Sequence, residues 1–527
     1  MTNSTPNPPT RNRVVVIGAG LGGMTAAIQL AHAGYSVDLL EKNGNVGGKL
    51  NVHKEAGFSF DLGPSIFTLP QIFRPVFEHD GKKLEDYIHL QRVDPQWRNF
   101  FEDGTVVDLW EDDAAMQLQL AKLGQDAIED YADFRKYSKL QYDITKRGYF
   151  DKGLDTFWDF VKFYGLRDGR GLDYMTTMSR GIEKRVRNPY LRDIFEYFIK
   201  YVGSSAKDAP GFMNLMPNIQ LEFGLWYVGG GLYELARAFE QRMQETGVRV
   251  HLNHRVTEII KHGTNVSGVI AQPTDGPAVT LPADFVISNM EVVPATAQLL
   301  REPPRVMKRL NRYEPSCSGI VLHLGLDRVY PQLAHHNFFY SADQKSHFDR
   351  VFKAKLLPND PTIYLVAPTR TDPSQAPPGC DNIKILPHIP YLNDKHPYTR
   401  EDCVALKELC LDKLERMGLT DLRKHILVED FWTPFDIEEK YLSNRGSIYG
   451  VVSDMRKNFA FKAPKRSPDY RNLFFVGGTV NPGGGMPMVT LCGQHVARLI
   501  IEQAGQTPAE RTETEHASAE HERAERV

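Results

Sequence analysis

The chain is poor in cysteine. Its 527 residues contain only Cys317, Cys380, Cys403, Cys410 and Cys492, and no two form a C-x-x-C pair. That spacing excludes a zinc ribbon or a disulfide framework and points to reduced thiols in a reducing compartment. Neither sign of charge is in excess: 63 Lys and Arg stand against 66 Asp and Glu, a net −3. Broad attraction to nucleic acid is therefore not expected. No apolar run reaches the roughly 18–20 residues that a spanning helix needs. The opening "MTNSTPNPPTRNR" has no apolar signal core, so the expected location is cytoplasmic, with any membrane contact peripheral. The 17 histidines include no H-x-x-x-H pair. His335 and His336 are neighbours, and on a strand they would face opposite ways. The same is expected of His251 and His254, and no metal site is expected.

What is present is an alternation of strand-like and helix-like segments. Val14–Ile17 is β-branched, Met24–Ala33 has helical periodicity, Gly34 ends it, and Tyr35–Glu41 is a second strand. This βαβ order implies an α/β fold with a parallel sheet. Val248–Ile259, Ala283–Asn289 and Asn472–Gly478 read as further strands of it. Residues 13–105, 216–295 and 431–504 are assigned to this dinucleotide-binding domain. Residues 106–215 and 296–430 form an inserted α+β domain for substrate and membrane. The polar arm 1–12 and the charged tail 505–527 are expected to be disordered.

Two glycine-rich strand-to-helix turns lie more than four hundred residues apart: "VVVIGAGLGG" near the start and "LFFVGGTVNPGGGMPMV" near the end. In the first, Gly18, Gly20 and Gly23 form G-x-G-x-x-G. The first glycine permits the tight turn, the second close approach to a pyrophosphate, the third close helix–strand packing. Glu41 ends the next strand, where a carboxylate accepts from a ribose hydroxyl. It disfavours a 2′-phosphate, and so NADP. Gly47 and Gly48 allow close passage, and Lys49 can reach a phosphate.

This G-x-G-x-x-G…E…G-G-K series resembles the FAD-binding amine oxidase and carotenoid desaturase superfamily. Internal stretches such as "DLGPSIFTLP", "NPYLRDIFEYFIKYVGSS" and "WTPFDIEEKY" are most similar to the C30 carotenoid oxygenases, which act on 4,4′-diaponeurosporene and 4,4′-diapolycopene. The resemblance implies a Rossmann-like FAD-binding domain. FAD would lie extended along Gly18, Gly20, Gly22, Gly23, Glu41, Lys42, Gly47, Gly48, Lys49 and Val256. Its flavin would meet Gly477, Gly478, Gly485 and Met488. The resemblance further implies oxidation of a terminal methyl of a linear carotenoid to an aldehyde, with O2 and with peripheral attachment to the inner face of the cell membrane. A carotenoid desaturase, or a non-catalytic prenyl carrier of the GDP-dissociation-inhibitor fold, remains an alternative at this stage.

The aromatic stretches Phe100–Trp110, Glu222–Tyr233 and His335–Tyr340 are candidate walls for a polyene tunnel, with core packing as the competing reading. Gly148–Gly171 interleaves Phe, Trp and Tyr with Lys152, Lys162 and Arg167, a pattern suited to an interfacial helix or to a docked amphipathic one. Arg98, Arg147 and Glu222 are the candidate charge-bearing catalytic groups, each equally readable as an ion pair. Hydride removal followed by water capture, and O2 activation by the reduced cofactor, both stay open.

Overall fold

The computed structural model describes residues 12–505. The N-terminal arm and charged tail inferred from sequence lie outside the described residues, apart from Asn12 and Gly505.

A five-stranded parallel sheet forms the first layer, ordered Leu473–Phe475, Phe285–Ser288, Arg13–Ile17, Ser36–Leu40, Arg249–His251. Four separated parts of the sequence thus build one sheet. The strands Arg13–Ile17, Phe285–Ser288 and Leu473–Phe475 are near-continuous apolar runs buried in the core. The strand order reverses at Arg13–Ile17, so a crevice opens beyond the carboxyl ends of the strands. The first helix spans Leu21–His32, three residues earlier than periodicity suggests. Gly20 caps it in extended geometry, so the last glycine of the motif lies inside the first turn.

The segment read as one strand, Val248–Ile259, is two. Asn253 takes a left-handed φ of 58°. Beyond it, His254–His262 leaves for a separate three-stranded antiparallel sheet. His251 and His254 therefore do not oppose each other; their rings lie 5.5 Å apart across the turn. His335 and His336 also differ from expectation. The strand begins only at His336, and the two rings meet edge to face at 4.4 Å.

The second sheet is mainly antiparallel and runs Ile426–Trp432, Val321–Leu326, Asp381–Ile389, Ile363–Val366, His336–Phe339, Trp97–Phe100, Val106–Leu109. The boundary drawn at 105 falls inside it: Trp97–Phe100 pairs with His336–Phe339 and with Val106–Leu109. One face packs on the helix Arg400–Arg416. That helix begins where Thr399 and Asp402 form a reciprocal capping box. The other face carries Trp97, Phe338 and Tyr364 against the helices Gln125–Thr145 and Leu215–Phe223. The predicted aromatic walls are therefore divided. Phe100 and Phe339 stack at 4.6 Å on the first face, while Phe338 and Tyr340 join the second.

The ends of the chain meet at the first and last helices. A Cβ on Gly493 of the helix Met486–Gly505 would stand 2.5 Å from the Gly22 carbonyl and 2.7 Å from Thr25 Cβ. Glycine costs a helix interior about 1 kcal/mol relative to alanine. Here that cost secures backbone contact, because overpacking the joint would cost about 1–3 kcal/mol.

Candidate active site

The crevice is a cleft of about 350 Å³, bordered at one end by Glu41, His254, Arg255 and Val256 and at the other by Val321, Leu386, Trp432 and Tyr449. Its middle is glycine backbone from both turns. Gly18, with φ 95°, makes the sharp exit from the first strand. Its N–H donates to the Leu40 carbonyl at 2.7 Å. A Cβ on Gly22 would stand 3.3 Å from Gly477 N and 3.1 Å from the Val489 carbonyl. The two turns that the sequence separates so widely are thus in direct contact. Gly23 does not line the cleft; a Cβ there would run into the Gly18 carbonyl, the close helix–strand packing expected of it.

Glu41 is buried, 5% exposed. One carboxylate oxygen accepts from Ala19 N at 2.8 Å. The other accepts from Asn43 N at 2.9 Å and Asn43 Nδ2 at 2.8 Å. The carboxylate therefore fixes the glycine turn as well as facing the cleft. Lys42 donates to the Lys440 carbonyl at 2.6 Å, and burial holds its ammonium pKa below the ordinary lysine value. Lys49 lines the cleft, but its ammonium contacts Glu291 Oε1 at 3.2 Å and the Ser447 carbonyl at 3.1 Å. It joins two walls of the cleft through these contacts.

Gly477, Gly478 and Gly485 border the cleft as expected, together with Gly484 and Met486. Met488 does not. It packs toward the aromatic core, and Met486 and Val489, three apart on the helix, hold the wall instead.

The three charge-bearing candidates are displaced from the cleft. Arg98 makes a bidentate pair with Asp108 at 2.8 and 2.7 Å, which raises its pKa further. Glu222 pairs with Arg135 at 3.3 Å on the surface. Arg147 is exposed. It lies on the π-turn Lys146–Phe150, which sends Tyr149 inward instead. The Tyr149 hydroxyl contacts Asn481 Oδ1 at 3.0 Å and donates to the Pro482 carbonyl at 3.2 Å, beside the second glycine turn.

Several site groups carry no signal in sequence pattern. Asn289 follows the strand Phe285–Ser288 and lies over both turns; its Nδ2 would be 2.5 Å from a Cβ on Gly20. Tyr449 and His388 are joined at 3.3 Å through the hydroxyl and Nε2, and His388 Nδ1 and the Tyr197 hydroxyl at 3.2 Å. Burial pushes the His388 pKa down to about 3, so the imidazole is neutral. Tyr149, Tyr201 and Tyr449 lie deep in the protein yet are not fully covered. Of these, Tyr449 lines the cleft. Among the described residues no cluster of three or more His, Cys, Asp or Glu could hold a metal ion.

The donor set fits an extended dinucleotide. Helix N-termini from two ends of the chain offer backbone N–H groups, Glu41 stands where a ribose would lie, and the far end is apolar and aromatic.

The model of the flavin containing amine oxidoreductase family matches residues 21–501. A 4,4′-diapolycopene oxygenase of Methylomonas sp is 56% identical, covering 94% of this chain and 99% of its own. A 4,4′-diaponeurosporene oxygenase of Staphylococcus aureus (strain USA300) is 50% identical over 92% of this chain and 97% of its own. The solved structure of an oxidoreductase from Methanosarcina mazei superposes with a TM-score of 0.62 at 16% identity, covering 92% of this chain and 100% of that one; it shares the fold.

Replacing Glu41 tests the ribose end. Glu41→Ala removes a buried charged acceptor and strands three N–H donors, Ala19 N, Asn43 N and Asn43 Nδ2, an effect of about 1.5–3 kcal/mol. Flavin affinity should fall about 10- to 100-fold, read as the ratio of flavin to protein absorbance after dialysis. Glu222→Gln should leave that ratio unchanged. Full flavin retention in Glu41→Ala would contradict the assignment.

Proposed function

The chain belongs to the flavin containing amine oxidoreductase family, and we propose that it oxidises a terminal methyl group of a linear C30 polyene to the aldehyde. FAD is the cofactor, held by the two glycine turns and Glu41. The observation that carries the reading is near-full-length identity to two relatives named for oxygenation of such polyenes. The shape and polarity of the interior agree with it. The balance is R–CH3 + O2 → R–CHO + H2O, with O2 as oxidant. Bound FAD supplies a two-electron acceptor beside the substrate and a means of reducing O2.

The residues of the chain position and exclude. Trp432, Leu386 and Val321 wall the far end of the cleft with groups that hold a hydrocarbon and keep water out. Tyr449, His388 and Tyr197 form a buried hydrogen-bonded line. Because the imidazole is neutral, it can accept a proton at one nitrogen while donating from the other. That line fixes the orientation of the Tyr449 hydroxyl at the edge of the cleft.

The proposed path for a water-insoluble substrate follows a file of aromatic rings from the second glycine turn to the surface. Rings follow one another from Tyr149 to Phe461, Phe160 and Tyr174, with centroid separations of 6.2, 6.5 and 5.4 Å. They end at Phe157 and Phe459. Around these, Met175 is 90%, Phe459 59% and Trp158 48% exposed. Phe459 is held out on a left-handed turn, φ 50°, a conformation costing about 1–3 kcal/mol. This patch forms the membrane-facing mouth. The side chain of Arg167, named with this helix from sequence, lies outside the described residues. No helix among the described residues is long and apolar enough to cross a bilayer.

Two experiments test this reading. Holoenzyme given 4,4′-diaponeurosporene in detergent micelles should yield a terminal aldehyde carrying one oxygen from labelled O2. Formation of new C=C bonds alone would make the protein a desaturase. For the mouth, Trp158→Glu with Phe459→Glu should lower co-sedimentation with phospholipid vesicles about 100-fold. Each ring buries about 1.5–3 kcal/mol, at least tenfold in affinity. Unchanged binding at full flavin content would move the mouth elsewhere.

A further inference from the structure

Lys200 lies in the short 3-10 turn Phe198–Val202 and is 5% exposed. Its Nζ has no hydrogen-bond partner. It stands 3.8 Å from the ring centre of Tyr364, 4.0 Å from Phe338, 4.7 Å from Trp97 and 5.3 Å from Tyr201. Among the described residues no carboxylate faces it. Burial alone drives its pKa well below the ordinary lysine value, and the nearby titratable groups His336 and His388 are themselves held neutral by burial. Cation–π contacts return about 2 kcal/mol at a desolvated site, less than the several kcal/mol lost by burying an ion. Burial without a counter-charge thus favours the free amine, the nucleophilic form, over the ammonium.

A pure hydrocarbon gains nothing from such a group. The polar atoms left over around it point to an oxygenated ligand. The Tyr201 hydroxyl donates to Gln220 Oε1 at 2.7 Å, but Gln220 Nε2 and His336 Nε2 have no partner. Leaving a buried donor or acceptor unsatisfied costs about 1–3 kcal/mol each. Tyr201 itself is only partly buried.

We propose that Lys200 is an amine site for the carbonyl end of an apolar polyene aldehyde. Nζ adds to the carbonyl carbon, a C–N bond forms, and the carbonyl oxygen leaves as water with the two protons of the amine. The product is a neutral imine, R–CH=N–Lys200, and no oxidant is consumed. While it persists, the aldehyde does not hydrate to the form from which an acid is made. The inference rests on the aldehyde reading above, but its test uses an added aldehyde and does not depend on turnover.

The probe is all-trans-retinal, a conjugated aldehyde, mixed with the holoenzyme and sodium cyanoborohydride. Reduction turns the imine into a stable secondary amine. Intact mass should rise by one retinyl group, and peptide mapping should place it on Lys200. Lys200→Met keeps length and apolar packing and should abolish that adduct without lowering flavin content or thermal stability. Should the variant not fold, mapping of the wild-type adduct decides alone. Retinyl groups only on surface lysines, or equal labelling in Lys200→Met, overturn the proposal. If the wild-type enzyme makes aldehyde from the C30 polyene yet gives no Lys200 adduct, the amine site falls and the oxidation stands. If Lys200 is labelled while the polyene gains only double bonds, the oxidation reading falls and the amine site stands.

Discussion

The structure depends on one backbone contact between the two ends of the chain. Gly22 of the first glycine turn lies against Gly477 and Val489 of the last, and Gly493 lies against Gly22 and Thr25. Side chains at these positions would force the helices Leu21–His32 and Met486–Gly505 apart. With glycine there, two helix N-termini converge on one crevice. Each brings unsatisfied N–H groups and a partial positive charge. The cleft therefore offers anion-stabilising backbone at two separated places, which one long cofactor can use at both its phosphates and its ring.

From that joint the interior changes character in one direction. Near Glu41 it is polar and closely hydrogen-bonded. Past Tyr449 it becomes aromatic, and burial works against the charged forms of the titratable groups there: His388 with a pKa of about 3, Lys200 displaced well downward. Low dielectric makes these groups costly as ions and reactive as neutral species. The proposed chemistry would lie at the border between the two regions, where a hydrocarbon end could meet the ring of the cofactor.

The sequence made the parallel sheet and the cofactor end legible, because both are local. Strand, G-x-G-x-x-G, helix and Glu41 fall within thirty residues, and their spacing is dictated by backbone geometry. The second glycine turn was legible as a turn, and resemblance placed it at the flavin. What escaped depended on partners distant in sequence. Arg98 became structural through Asp108, across a hairpin. Arg147 lost its place to Tyr149 when a π-turn reversed which side chain points inward. Met488 and Val489 traded roles because the register of a helix face is set by what it packs against. Lys49 was claimed by Glu291. Tyr449, His388 and Lys200 have no flanking pattern; only tertiary burial turns an ordinary tyrosine, histidine or lysine into a member of the site.

The central claim, that one extended FAD bridges both glycine turns, is tested most directly by backbone amide exchange of the apoprotein with FAD or with ADP added. FAD should slow exchange in residues 18–49 and 477–489 together, and ADP, which lacks the flavin, in 18–49 alone. Protection of 477–489 by neither ligand, or equally by ADP, would contradict it.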